Sequence, residues 1–292
     1  MHRQTIICIS ILCLSLPAFG QKDVLQEINE HAQKISGNVG VYALLLETGD
    51  TVAYHAEEQY PMQSVYKFPI AMAVLSQVDQ GKLSLDQVIQ VQATDYIPEQ
   101  GYSPIRDKYP EGVALSLREL LRYAILSDGS ASDVLLKTIG GIEVAHAYVQ
   151  RLGVSAMAIA LTEKIQVAND TMQYQNWSTP RAMTQLLKIF YTDDVLSAPS
   201  RELLLHDMIN SKTGLHRLKG MLPEGTVVAH KTGTAGTYNG LTRATNDAGI
   251  ITLPNGKHMA VSVFISDSYA SSEERDLVIA SITKSIFDRW KD

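Results

Sequence analysis

Thiols are nearly missing from this sequence. Of its 292 residues only Cys8 and Cys13 are cysteines. Both lie in an N-terminal stretch expected to be cut away, so disulfides, thiolate nucleophiles and cysteine-held zinc drop out of the mature chain. The N-terminal apolar run, 6–16, falls far short of the ~20 residues a membrane span needs, which excludes a stable membrane anchor. There is no basic stripe either. The formal net charge is -6, and loss of Arg3, the one charged residue in 1–20, makes it -7 (-6 minus +1). Acidic and basic residues are mixed throughout, which excludes nucleic acid as a partner. The eight histidines, His31, His55, His146 and His206 among them, lack metal-ligand spacing and are expected at the surface or as caps; no zinc site and no cofactor is implied. No low-complexity linker or repeat interrupts 21–292.

What is present begins with a leader. Met1-His2-Arg3, the apolar run, Pro17 and the small-residue pattern Ala18-Phe19-Gly20 have the layout of a signal peptide over 1–20, cleaved before Gln21. Secretion through the Sec pathway to the periplasm is expected. Leu12 before Cys13 argues against a lipoprotein. The remainder, in a chain 45% hydrophobic and 19% charged, is ordinary globular material.

Strand and helix patterns are segregated along it. After a helix over 24–34, segments 40–47 and 51–55 read as a hairpin around Thr48-Gly49-Asp50. Segments 226–230, 244–252 and 258–266 read as strands, the last two joined through Pro254-Asn255-Gly256, and a helix over 273–290 closes the chain. The middle is helical: Ser116 and Glu119 form a capping box, glycines 140, 141 and 153 end two helices, and Thr179-Pro180 opens another. The expected class is α+β, an antiparallel sheet flanked by helices with an inserted all-α lobe. Residues 21–60 and 215–292 would form the α/β lobe and 61–214 the helical lobe, with the site in the cleft between them.

Three short elements carry chemistry. Ser64-Val65-Tyr66-Lys67 opens the apolar run 68–78; residues three apart on a helix share a face, so Lys67 can reach the Ser64 hydroxyl, and the helix dipole favours the anion formed during attack. A second Ser-x-x-Lys, 281–284, is read as an ordinary pair on the last helix. Lys231-Thr232-Gly233 follows a strand pattern and offers a cation, a hydroxyl and a bare edge for an anionic amide substrate. Its near copy Lys212-Thr213-Gly214 follows a helix and is read as a loop. Ser127-Asp128-Gly129 lies between the two elements.

In this order, with the acidic residue Glu163 before the last element, the motifs resemble a class A serine β-lactamase. The resemblance covers essentially the whole mature chain. It includes Tyr102-Ser103-Pro104; Gln173-Tyr174-Gln175-Asn176-Trp177, Arg217-Leu218-Lys219-Gly220 and Ala244-Thr245-Asn246-Asp247 are similar to its Bacteroides-type and extended-spectrum branch. It implies the serine β-lactamase and penicillin-binding-protein transpeptidase-like fold and hydrolysis of penicillins and cephalosporins, giving antibiotic resistance, by a monomer with no cofactor. By the same resemblance Ser64 is the nucleophile and Lys67 takes its proton, directly or alongside Glu163 acting through water. Glu163 activates the deacylating water, and Ser127 relays a proton to the leaving nitrogen. The N–H groups of Ser64 and Thr234 form the oxyanion hole. Lys231, Thr232 and Arg217 hold the substrate carboxylate, Gly233 and Thr234 offer the strand edge, and Tyr102 walls the cleft.

The chain departs from the pattern at three positions. Gly129 stands where the family usually has an Asn that touches substrate, so a lost hydrogen bond worth about 1 kcal/mol and weaker or altered activity are expected. Leu161 and Val167 stand where many relatives have Arg and Asn, so the usual salt bridge of the Glu163 loop cannot form, Gln166 or Asn169 would partner the hydrolytic water, and the loop is expected to fold differently around a roomier site that admits bulky cephalosporins. A D-alanyl-D-alanine peptidase shares the nucleophile logic but has no counterpart of Glu163, and a weakly active or non-catalytic homologue is the other alternative.

Overall fold

The computed structural model describes residues 23–292; the leader expected over 1–20, with Cys8 and Cys13, lies outside the described residues. Among the described residues no helix is long and apolar enough to cross a membrane.

Strand β1 (Asn38–Leu45) pairs with β2 (Thr51–Tyr54) as the expected hairpin, then a short β3 (Tyr60–Pro61) leads away into the helices. The sheet resumes at β8 (Val228–Thr234) and is completed by β9 (Thr237–Tyr238), β10 (Leu241–Thr252) and β11 (His258–Ser268), in the order β2-β1-β11-β10-β8 with β9 on β10 and every pair antiparallel. The strand expected over 226–230 thus begins two residues later and runs on through Lys231-Thr232-Gly233.

Both faces of the sheet are covered, which is why its strands are buried almost continuously. Alternation still decides which way each side chain points. Val41, Ala43, Val261, Val263 and Ile265 pack with Ile28 of α1 (Val24–Ala32) and Ile279, Ile282, Ile286 and Trp290 of α10 (Ser272–Trp290). Ala260 and Phe264, one step along, belong to the opposite core. On that side α8 (Pro180–Thr192) lies across the strands, with Thr184 Oγ1 donating to Tyr42 O (3.0 Å) and bonded to Ser262 Oγ (2.9 Å). Each fully buried Val or Ile contributes roughly 1.5–3 kcal/mol.

The rest of the helical region surrounds α2 (Lys67–Asp79), which is buried from Lys67 through Leu75. A helix apolar on every side can only be central, and α4 (Leu117–Ile125), α5 (Gly129–Ile139), α6 (Ile142–Arg151) and α9 (Ala198–Ile209) pack on it. The Ser116 capping box forms as expected: Ser116 Oγ accepts from Glu119 N and Glu119 Oε2 accepts from Ser116 N. Helix α5, which ends at Gly140 as expected, begins at Gly129 because the Asp128 carboxylate caps it by accepting from Ala131 N (2.8 Å). A hairpin of β4 (Val88–Val91) and β5 (Val113–Ser116), the short α3 (Pro104–Lys108), and β6 (Met157–Ala158) and β7 (Trp177–Ser178), which join β3, complete the frame. The six-residue α7 (Glu163–Ala168) sits on the loop between β6 and β7.

Candidate active site

Ser64 stands on a 3-10 turn, Gln63–Tyr66, that runs straight into α2, so the helix proper begins at Lys67 and the serine one turn earlier. It is half-buried and lines a cleft of about 460 Å³, within the size range of small-molecule sites. Neighbours on three strands hold its turn. Met62 N donates to Asn176 O (2.8 Å) beside β7. Asn246 of β10 donates through Nδ2 to Pro61 O (2.7 Å) and Met62 O (3.1 Å). Gly233 of β8 comes so near that a Cβ there would sit 2.3 Å from Met62 O. The bare position in Lys-Thr-Gly is therefore what lets the strand lie against the turn that carries Ser64. Gln63 itself is held at φ 46°, a left-handed conformation that costs a non-glycine residue about 1 kcal/mol or more and persists only where neighbours enforce it.

Two buried amines meet at Ser127. Lys67 Nζ donates to Ser127 O (3.0 Å) and lies 3.5 Å from Glu163 Oε2; Lys231 Nζ donates to Ser127 Oγ (2.6 Å) and Thr232 O (2.8 Å). A cation at the start of a helix is opposed by the helix dipole, and Glu163 supplies the compensating charge. Burial pushes the Lys231 amine well down from its ordinary range, and the nearby Lys67 charge adds to this. Asp128, next in sequence, is structural here: besides capping α5 it accepts from Ile105 N (2.7 Å) and Ser103 Oγ (3.1 Å). That fixes the segment on which Tyr102 projects, exposed, at the cleft rim.

Glu163 opens α7, where the dipole favours a carboxylate. Asp133 of α5 caps that helix from below, accepting from Glu163 N (2.7 Å) and Lys164 N (2.9 Å). Burial pushes the Asp133 carboxyl up to about 7, against the pull of the two N–H donors and with Glu163 adding its charge. Glu163 Oε2 and both amide atoms of Gln166 are buried without a hydrogen-bond partner in the protein, and both residues line the cleft. Asn169 instead turns back onto Thr171. The neck of the loop is closed without charge: Asn176 Oδ1 accepts from Ala160 N (2.7 Å) and Leu161 N (2.9 Å), and its Nδ2 donates to Leu161 O (2.8 Å).

Arg217 is no surface cation. It is buried, paired with Asp276 (2.7 Å), and donates to Gly233 O (3.2 Å), Asn246 O (3.0 Å) and Thr234 Oγ1 (2.8 Å), so its charge reaches the cleft from behind the end of β8. Ser64, Tyr102, Ser127, Glu163, Arg217, Thr232 and Thr234 all line the one cleft. Lys67 and Lys231 stand behind Ser127.

Gly129, expected as a substrate-contacting position, does not line the cleft. A Cβ there would meet Ile97 Cδ1 at 2.5 Å and Glu163 Cγ at 2.7 Å, so the space an asparagine would take is filled by Ile97 and Glu163. Two further expectations need correction. His230, expected among surface or capping histidines, is fully buried beside the site, its Nδ1 2.9 Å from the Asp247 carboxylate, which also accepts from Leu218 N. The loop holding Lys212-Thr213-Gly214 is a loop as expected, but Thr213 lines the cleft with its hydroxyl 2.8 Å from that of Thr232. Asp133 and Asn176 were not foreseen as supports of Glu163, since their partners lie 30 and 15–16 residues away, and the stretch 173–177 that contains Asn176 does not itself say which backbone it will hold.

Comparison with known proteins gives a consistent result. The model of the "Beta-lactamase enzyme family" matches residues 23–290. The extended-spectrum β-lactamase PER-1 of Pseudomonas aeruginosa is 41% identical over 79% of this chain and 75% of its own length, and a β-lactamase of Bacteroides uniformis is 37% identical over 87% and 86%. The crystal structure of a β-lactamase from Chitinophaga pinensis superposes with a TM-score of 0.89 at 48% identity, covering 91% of this chain and 98% of that one.

Proposed function

The chain belongs to the β-lactamase enzyme family, as a class A serine hydrolase that opens β-lactam antibiotics, and on that premise we propose how its residues divide the work. Ser64 attacks the lactam carbonyl and gives its proton to the Lys67–Glu163 pair. The oxyanion is met by the N–H groups of Ser64 and Thr234, each donor worth roughly 3 to 4 kcal/mol in comparable sites. As the ring C–N bond breaks, Ser127 protonates the departing nitrogen and is resupplied by Lys231, whose amine, destabilised as a cation by burial, gives up a proton readily and regains one from the Lys67–Glu163 pair, which leaves Glu163 a carboxylate again. The substrate carboxylate rests on the Thr232 and Thr234 hydroxyls with the charges of Lys231 and Arg217 behind them, and its amide lies between the strand edge at Thr234 and the wall at Tyr102. Glu163, with Gln166, then holds and deprotonates the water that cleaves the ester, returning Ser64.

The observation that carries this reading is the double contact at Ser127, carbonyl to Lys67 and hydroxyl to Lys231, beside Ser64 in one cleft. With Glu163→Gln holding the ester, benzylpenicillin should label the mature protein once per chain at Ser64, and Ser64→Ala should lose both that label and turnover; a label elsewhere, or residual hydrolysis by the alanine variant near the wild-type rate, would refute it.

Finer parts of the reading follow from the same features. The cleft volume and the uncharged loop neck favour cephalosporins with bulky side chains. The two-lobe division, 21–60 with 215–292 against 61–214, places the cleft at the junction. The protein acts as a monomer, since one chain supplies every proposed group, and the leader pattern over 1–20 directs it to the periplasm.

A further inference from the structure

Past α7 the loop turns through a 3-10 stretch, Asp170–Gln175, before reaching β7. Asp170 is its hub. One carboxylate oxygen accepts from Gln173 Nε2 (2.7 Å), while the other takes Nε of Arg243, which comes from β10 on the far side of the cleft. Gln173 passes the contact on, its Oε1 accepting from Gln63 Nε2 (2.7 Å), and Gln63 is the left-handed residue next to Ser64. Arg243 also donates to the Tyr174 hydroxyl (3.2 Å), which in turn donates to Asp267 near the end of β11. The pair is not a free surface contact: the Arg243 and Asp170 side chains are 23% and 19% exposed, and Asp170, Gln173 and Gln63 line the cleft. Exposed ion pairs of this kind contribute little, but one that is partly enclosed and continued by two further hydrogen bonds fixes position as well as charge.

We propose that Arg243 is a positioning residue for hydrolysis: through Asp170 it anchors the Glu163 loop to the sheet, and through Gln173 and Gln63 it registers that loop against the turn bearing Ser64. This rests on the roles of Ser64 and Glu163 given above. Without the anchor, acylation proceeds on a turn still gripped by β7, β8 and β10, while the carboxylate that must aim a water at the ester loses its frame. Deacylation alone then slows. For a two-step acyl-enzyme route that has a particular signature: kcat and KM fall together and kcat/KM is preserved.

Steady-state kinetics and intact-mass measurement on Arg243→Ala, Asp170→Asn and their double variant test this with benzylpenicillin. Arg243→Ala should lower kcat and KM by about 10- to 100-fold, the range expected when a reacting group is misplaced by an ångström or so, and acyl-enzyme should accumulate. Asp170→Asn, nearly isosteric, should do the same even if Arg243→Ala folds poorly, and the double variant should be no worse than the more severe single. Arg243→Lys should recover part of the loss, since a point charge replaces the fork. An unchanged kcat in Asp170→Asn, single effects that multiply in the double variant, or a fall in kcat/KM with KM unmoved would overturn the proposal. If Glu163→Gln is never acylated at Ser64 and the wild type does not turn over, the failure lies in the assignment of the nucleophile and not in the anchor.

Discussion

Around Ser127 the polar atoms satisfy one another, with Lys67 and Lys231 donating to its carbonyl and hydroxyl at 3.0 and 2.6 Å; on the facing wall the whole Gln166 amide lacks a hydrogen-bond partner and Glu163 Oε2 has only its 3.5 Å ion-pair contact with Lys67. The first wall is finished before substrate arrives. Preorganised donors cost no rearrangement when charge develops, which suits the capture step. The second wall leaves hydrogen-bonding capacity unused at a cost of about 1–3 kcal/mol per buried group, which suits a step whose reactant is water. Its supports are correspondingly indirect: Asp133 beneath, Asn176 at the neck and Arg243 from the opposite sheet.

The strongest way to break this contrast is to disable the second wall only. Glu163→Gln should cut deacylation by about 10³-fold, within the range for a lost general base, while leaving acylation measurable, so that mass spectrometry finds the ester in place after minutes. Equal loss of both steps would erase the distinction between the walls. A smaller effect should follow from filling the gap beside the glutamate. The side chain of Gly129→Asn must displace Ile97 or Glu163; we expect a fall in turnover of about 10-fold and a lower melting temperature from about 1–3 kcal/mol of overpacking. A gain in activity would mean that the loop yields easily.

The smallest effect concerns pH. Asp133 binds its proton more tightly folded than unfolded, since its carboxyl stands at about 7 against an ordinary 3.8. The folded state therefore holds the extra proton across that interval, and this group's contribution to stability is present at low pH and lost as pH rises through 7. Asp133→Asn should flatten the decline: urea denaturation at pH 5 and pH 8 should show a difference smaller than the wild type's by about 1 kcal/mol. A steeper decline in the variant would place the charge elsewhere.

Much of the fold was legible because its signals are local. The capping box at Ser116, the Pro254-Asn255-Gly256 turn and the alternation in β11 each fix their own few residues. The motifs at Ser64, Ser127 and Lys231 were legible for the same reason, and the resemblance they carry is upheld by the family match. What escaped was long-range. Strands of two residues, such as β3, β6 and β7, are too short for alternation to register. The partners of Asp133 and Arg243 are chosen by packing, not by spacing. Gly129 shows how a departure can mislead: read alone it is a missing hydrogen bond, but in the fold it is the room that Glu163 occupies.

The buried amide of Asn246 joins the carbonyls before Ser64 to β10, and its Oδ1 accepts from Ile265 N (3.3 Å) of β11. One side chain thus rivets the attacking end of the cleft to the middle of the sheet.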